Sequence, residues 1–207
     1  MVITQMLVKN FGERGNFKPE AVVIHIGEGT KEQIASTFRY EQKSSHYLVC
    51  ENGEIWQFVN EDKSAWHAGN VIKPTSRMVK ERLIQNPNLW TIGIEHEGMD
   101  NINELQYQTS IQLVADICKR WSIPPDREHI IGHREIRADK RCPAKIDMDR
   151  IVKGAVDIIY PKPVESVILK EDIKDKEISE LRQLISQLLA YIANYLSKLG
   201  VKLGLKK

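Results

Sequence analysis

Apolar positions change their period along the chain. AVVIHIG (residues 21–27) is a near-continuous apolar run of strand length, which predicts a buried strand. TIGIEHEG (91–98) predicts another, with Thr91, Gly93, Glu95 and Glu97 on one face and Ile92, Ile94 and His96 on the other. HYLVCENGEIWQFV (46–59) predicts a hairpin with Asn52-Gly53 as its two-residue turn. REHIIGH (127–133) predicts a short strand. Elsewhere the spacing is helical. Tyr107, Ile111, Val114, Ile117 and Trp121 fall on one side of a helix over 106–121. Thr30 with Gln33 resembles a capping box, opening a short helix through Phe38. Strands mixed with helices, one hairpin and some long connections predict an α/β fold: a mixed central β-sheet flanked by helices.

The pattern shifts near residue 160. Residues 160–176 carry prolines first and charges later, as a linker does. Beyond them, Ile178, Leu181, Ile185, Leu188, Ile192, Tyr195 and Leu199 alternate steps of three and four, a coiled-coil-like seam. Leu184, Leu189, Tyr191 and Leu196 widen that stripe, and Lys198, Lys202, Lys206 and Lys207 make the end basic. The expected organisation is a folded region over 1–159, a linker over 160–176 and an amphipathic C-terminal helical extension over 177–207. Three roles compete for the helix: a homo-oligomer contact, an interfacial contact with anionic membrane or wall polymer, and packing onto the folded region. Self-association ranks first, because so apolar a stripe left bare invites aggregation.

Composition narrows the picture. The 207 residues are 42% hydrophobic and 28% charged, ordinary for a globular chain. A net charge of +2 gives no reason to expect nucleic acid as a partner. Three widely spaced cysteines, Cys50, Cys118 and Cys142, do not make a disulfide framework and fit a reducing compartment. The first residues show no basic-then-apolar leader pattern, and no apolar run is long enough to span a bilayer.

Cys142 is the unusual cysteine. Its neighbours Lys140, Arg141 and Pro143 mark a polar loop, a setting for a thiolate with a partner rather than a buried structural thiol. Two histidines, His25 and His133, each stand at the exit of a short apolar strand. Two histidines and a cysteine form a three-ligand zinc set that leaves a fourth position open, as catalytic zinc sites do. Spacing alone favours the plainer reading of two core-edge histidines and a free thiol. Glu95 sits mid-strand in very apolar company. It is either a solvent-facing charge or a group that moves protons between an attacking water and a leaving nitrogen. Lys140 is either a solvated loop lysine or the group that faces a developing oxyanion.

Taken together, VVIHIG, SSHYLVCENGEIWQFVNEDKSAWHAGN, NPNLWTIGIEHEG and HIIGHREIRADKRCPAKIDMD resemble the zinc N-acetylmuramoyl-L-alanine amidases of the type 2 family. That family shares its fold with peptidoglycan recognition proteins and includes many phage endolysins. The resemblance runs from about Val22 to Asp149 and reverses the preference drawn from spacing. It implies zinc on His25, His133 and Cys142, Glu95 as the catalytic acid and base, Lys140 as the oxyanion stabiliser, and His67 in the substrate groove. Members that lack the glutamate use a tyrosine where this chain has Ser45, which leaves that work to Glu95. Structural roles are expected for His46 and His96, and a surface position for His129.

The activity so implied is hydrolysis of the amide between N-acetylmuramic acid and the L-alanine of the peptidoglycan stem peptide. The expected setting is a bacteriolytic phage endolysin, held in the host cytoplasm until it reaches the cell wall. Two alternatives stay open: a peptidoglycan-binding module without hydrolysis, and a cytoplasmic wall-recycling amidase.

Overall fold

Strand runs rich in β-branched residues, separated by Gly, Asn and Pro turns, build a six-stranded mixed sheet. The computed structural model describes residues 2–161 and 175–198. The sheet strands are β1 (Ile3–Gln5), β3 (Ala21–Ile24), β4 (Tyr47–Val49), β5 (Ile55–Gln57), β7 (Thr91–His96) and β8 (Ile130–Gly132). Their order across the sheet is β1-β5-β4-β7-β3-β8. Only β4 and β5 pair antiparallel; the other neighbours run parallel. A separate two-stranded antiparallel sheet joins β2 (Phe11–Glu13) to β6 (Lys63–Ala65).

The helices are α1 (Lys31–Tyr40), α2 (Arg77–Glu81), α3 (Glu104–Trp121), α4 (His133–Ile136), α5 (Met148–Ile159) and α6 (Asp175–Lys198), with a 3-10 turn over Pro87–Leu89. The Thr30–Gln33 capping box is present and α1 runs two residues past Phe38. The long amphipathic helix begins at Glu104, two residues before the expected start. A second capping box causes this: Asn103 accepts from the Gln106 N–H at 2.9 Å, and Gln106 Oε1 accepts the Asn103 N–H at 3.0 Å.

The central strands are buried on both faces. Val22, Ile24, Ile92 and Ile94 pack against Leu113, Val114 and Ile117 of α3 and Ile151 of α5. Ala21, Val23 and Ile131 pack on the opposite side with Trp90, Met78 and Ile136. Each fully buried aliphatic side chain contributes roughly 1.5–3 kcal/mol, so this double-sided core dominates stability. Helices α3 and α5 pack closely at Gly154, where an added Cβ would stand 2.7 Å from the Ile111 side chain and force it to shift.

The hairpin differs from expectation in one detail. The Cys50 N–H bonds to Glu54 O at 2.9 Å, so three residues, Glu51, Asn52 and Gly53, form the loop rather than two. Gly53 takes φ 79°, the left-handed residue that closes a three-residue hairpin.

By internal contacts the chain divides into two units, Met1–Pro161 and Lys162–Lys207. In the second, α6 exposes Leu181, Leu184, Ile185, Leu188, Leu189, Tyr191, Ile192 and Tyr195. Most of the expected linker, and Leu199, Lys202, Lys206 and Lys207 of the tail, lie outside the described residues. Among the described residues, no helix is long and apolar enough to cross a membrane.

Candidate active site

Parallel register explains how residues more than a hundred positions apart meet. Strand β3 lies between β7 and β8, and Ile24 pairs with both Ile94 and Gly132. The residues that directly follow these three in the chain are His25, just past β3, Glu95 in β7 and His133, the first residue of α4, so the pairing brings them together. All three stand at the carboxyl ends of parallel strands, where open α/β sheets place their ligands. The third donor arrives from the loop after α4, where Cys142 Sγ accepts the Ile26 N–H at 3.2 Å. One donor atom each from His25, His133 and Cys142 lies within 4.8 Å of the others.

Both imidazoles have one nitrogen occupied by the protein. His133 Nε2 lies 3.1 Å from the Ala68 carbonyl, and His25 Nε2 lies 3.1 Å from His67 Nδ1. His25 Nδ1 is left facing Glu95, with Oε1 3.9 Å away. Burial lowers both pKa values, to about 4 for His133 and well below the ordinary range for His25. These rings stay neutral at physiological pH and keep a lone pair to donate.

Glu95 is only 14% exposed, and its Oε2 is buried with no hydrogen-bond partner. Burial, aided by the charge of Glu28, pushes its pKa up to about 8. Its strand face, which could have been open to solvent, instead meets the site. Burial, then the charge of Glu95, also pushes the Cys142 thiol up; the Ile26 N–H and Lys140 act against this. Two neutral imidazoles, a thiol and an unpartnered carboxylate oxygen form an acceptor-rich cluster that suits a divalent cation, which would reverse the thiol's shift. The donor set fits zinc.

The cluster opens into a cavity of about 950 Å³, lined by His25, Glu95, His133 and Cys142 and farther out by Trp66, Glu28, Arg137, Asp139 and Lys140. Lys140 is exposed at its edge. His67 lines it too, but its ring is only 8% exposed and both of its nitrogens face protein groups, His25 Nε2 and Thr91 Oγ1. His46 accepts the Gly93 N–H on Nδ1 at 3.0 Å, and His96 bridges the His25 carbonyl and Ser110 Oγ, each at 2.9 Å. His129 is half-buried and meets Asp126 at 2.7 Å. The sequence reading passed over Asn88, Thr91 and the Ala68 carbonyl as site components. The only local signal was their place inside the WHAG and NPNLWTIGIE segments that flank the candidate residues.

The family model for N-acetylmuramoyl-L-alanine amidases matches residues 15–145. The chain belongs to this family. It is 32% identical over 147 residues to N-acetylmuramoyl-L-alanine amidase A of Achromobacter lyticus, across 60% of this chain and 73% of that one. It is 37% identical over 101 residues to the 1,6-anhydro-N-acetylmuramyl-L-alanine amidase AmpD of Escherichia coli, covering 47% of this chain and 49% of the relative. The amidase thus aligns with about half the length of AmpD. Among solved structures, a mutant endolysin from Bacillus subtilis superposes with a TM-score of 0.58 over 75% of this chain and 99% of that one. At 19% identity that likeness concerns the fold alone.

Proposed function

We propose that this amidase hydrolyses the amide joining the lactyl group of N-acetylmuramic acid to the L-alanine of the stem peptide in peptidoglycan, with zinc held by His25, His133 and Cys142. The observation that carries the reading is the convergence of those three donors within 4.8 Å beside the buried carboxyl of Glu95. Family membership supports the bond that is cut.

Zinc bound there supplies Lewis acidity, acidifying water and polarising a carbonyl. The chain's own groups do the rest. Glu95, with a pKa moved toward neutrality, is matched to accept a proton from the attacking water and return it to the departing amide nitrogen. Lys140, at the cavity edge, offers positive charge to the oxygen that becomes anionic. The Ile26 N–H favours the thiolate form of Cys142. The groove beyond, walled by Trp66 and Arg137, receives the glycopeptide.

The setting we favour is bacteriolytic, as in the phage endolysins the sequence resembles, with the host cytoplasm as the store before release to the wall. Self-association through the exposed stripe of α6 belongs to the same reading. The 37% identity to AmpD favours a second setting, wall recycling. One experiment addresses both: purified protein is given intact sacculi or soluble 1,6-anhydro-muropeptides, and products and bound metal are measured by mass spectrometry on the same sample. Free stem peptides from sacculi, abolished by a chelator, are expected. Cleavage of soluble fragments alone would move the protein to recycling, and binding to wall without cleavage would make it a recognition module.

A further inference from the structure

The outer nitrogens of both candidate imidazole ligands end on one dipeptide. His25 Nε2 faces the His67 ring at 3.1 Å, and His133 Nε2 faces the Ala68 carbonyl at 3.1 Å. That dipeptide is held by one side chain, since Asn88 Oδ1 accepts the N–H of His67 at 3.1 Å and of Ala68 at 2.8 Å. Strand β7 leaves room for the arrangement at Gly93, where a Cβ would stand 2.5 Å from the His67 ring.

The direction of the hydrogen bonds follows from a single carbonyl. Pro87 O can only accept, so the Thr91 hydroxyl donates to it at 2.7 Å. Thr91 Oγ1 is then the acceptor for His67 Nε2, 3.2 Å away, which must carry the proton. A neutral His67 therefore has a bare Nδ1, and the proton shared with His25 sits on His25 Nε2. His25 Nδ1 is left as the donor nitrogen on the Glu95 side. The Ala68 carbonyl imposes the same choice on His133 directly, fixing its proton on Nε2. Thr91, His25 and His67 are all buried, so water does not compete for these bonds.

We propose that His67 and the Ala68 carbonyl, clamped together by Asn88, are a single outer scaffold that presets the tautomer and aim of both imidazole ligands, with Thr91 and the Pro87 carbonyl setting the direction of the His67 arm. His67 is then a positioning residue for His25. The inference rests on the reading that His25, His133 and Cys142 hold zinc.

Long-range proton–nitrogen NMR of the full, metal-free chain should find His25 and His67 both protonated on Nε2. Zinc affinity, measured by chelator competition, should fall roughly 10- to 100-fold in His67→Ala, as for lost outer-shell partners of metal ligands. Near-isosteric Thr91→Val should weaken zinc in the same sense and lose the single His67 tautomer, and Thr91→Ser should restore both. A wild-type His67 protonated on Nδ1 overturns the inference, as do folded Thr91→Val and His67→Ala proteins that bind zinc as tightly as wild type. Wild-type protein that takes up no zinc removes the metal reading and this inference with it; unchanged affinity in the variants removes only the inference.

Discussion

The Ile26 backbone N–H points at Cys142 Sγ from 3.2 Å, joining residues 116 positions apart. Because Ile26 follows His25 directly, the same turn of chain that presents an imidazole also anchors the sulfur. A thiolate accepting a backbone N–H is stabilised in the charged form a metal requires. Cys142→Ser should keep the fold and lower zinc affinity by more than the roughly 10- to 100-fold typical of an outer-shell loss. Stoichiometric zinc in that variant under chelator challenge would take Cys142 out of the site.

Glu95 is tested by removing its proton chemistry while keeping its shape. Glu95→Gln should retain zinc and melt like wild type, while hydrolysis of cell wall falls roughly 100- to 10,000-fold, the range of a lost general acid–base group. Undiminished release of stem peptides would transfer the role elsewhere.

Buried histidines predict acid sensitivity in the metal-free protein. Burial lowers His46 to about 3 and His96 and His133 to about 4, with His25 and His67 also well below 6.5. Their neutral forms are built into the fold, whereas the unfolded chain protonates them near pH 6.5. The stability they contribute is complete above that pH and is lost as pH falls toward the folded values. Each histidine gives a slope of roughly 1.4 kcal/mol per pH unit in that window. The losses of His46, His96 and His133 act in the same direction as pH falls below 6.5. Melting followed by circular dichroism in chelator should show Tm dropping steeply from pH 6.5 downward, and a flat profile to pH 4.5 would contradict the burial argument.

Eight apolar side chains of α6, from Leu181 to Tyr195, are exposed. If self-association covers them, light scattering should give a multiple of the chain mass for the full protein and a monomer for a version ending at Pro161. Equal monomeric masses would exclude that role.

Local sequence determined the elements. The apolar runs at 21–27 and 91–98, the Thr30 capping box and the spacing from Tyr107 to Trp121 each specify a strand or helix through neighbours a few positions away, where sterics and periodicity act. It also offered the candidate chemistry: spacing left His25, Glu95, His133 and Cys142 open between plain and catalytic roles, and the order of the motifs, through the family resemblance, chose between them. Even locally, the hairpin escaped it: Asn52-Gly53 suits a two-residue turn, yet the Cys50–Glu54 pairing made a three-residue loop.

Tertiary structure decided what those residues are to one another. Nothing near His25 in the chain says that Ile24 will pair with both Ile94 and Gly132, and that pairing is what sets His25, Glu95 and His133 side by side. The shift of Glu95 toward pH 8 likewise depends on burial created by the finished fold. His67 shows the difference most plainly: the resemblance implied a groove residue, and it does line the cavity, but only the packed fold shows its ring set between Thr91 and His25 over Gly93, with its backbone N–H held by Asn88. Hydrogen bonds and desolvation act through space, so the partners of a side chain are fixed only once strands and loops far apart in the chain have been packed together.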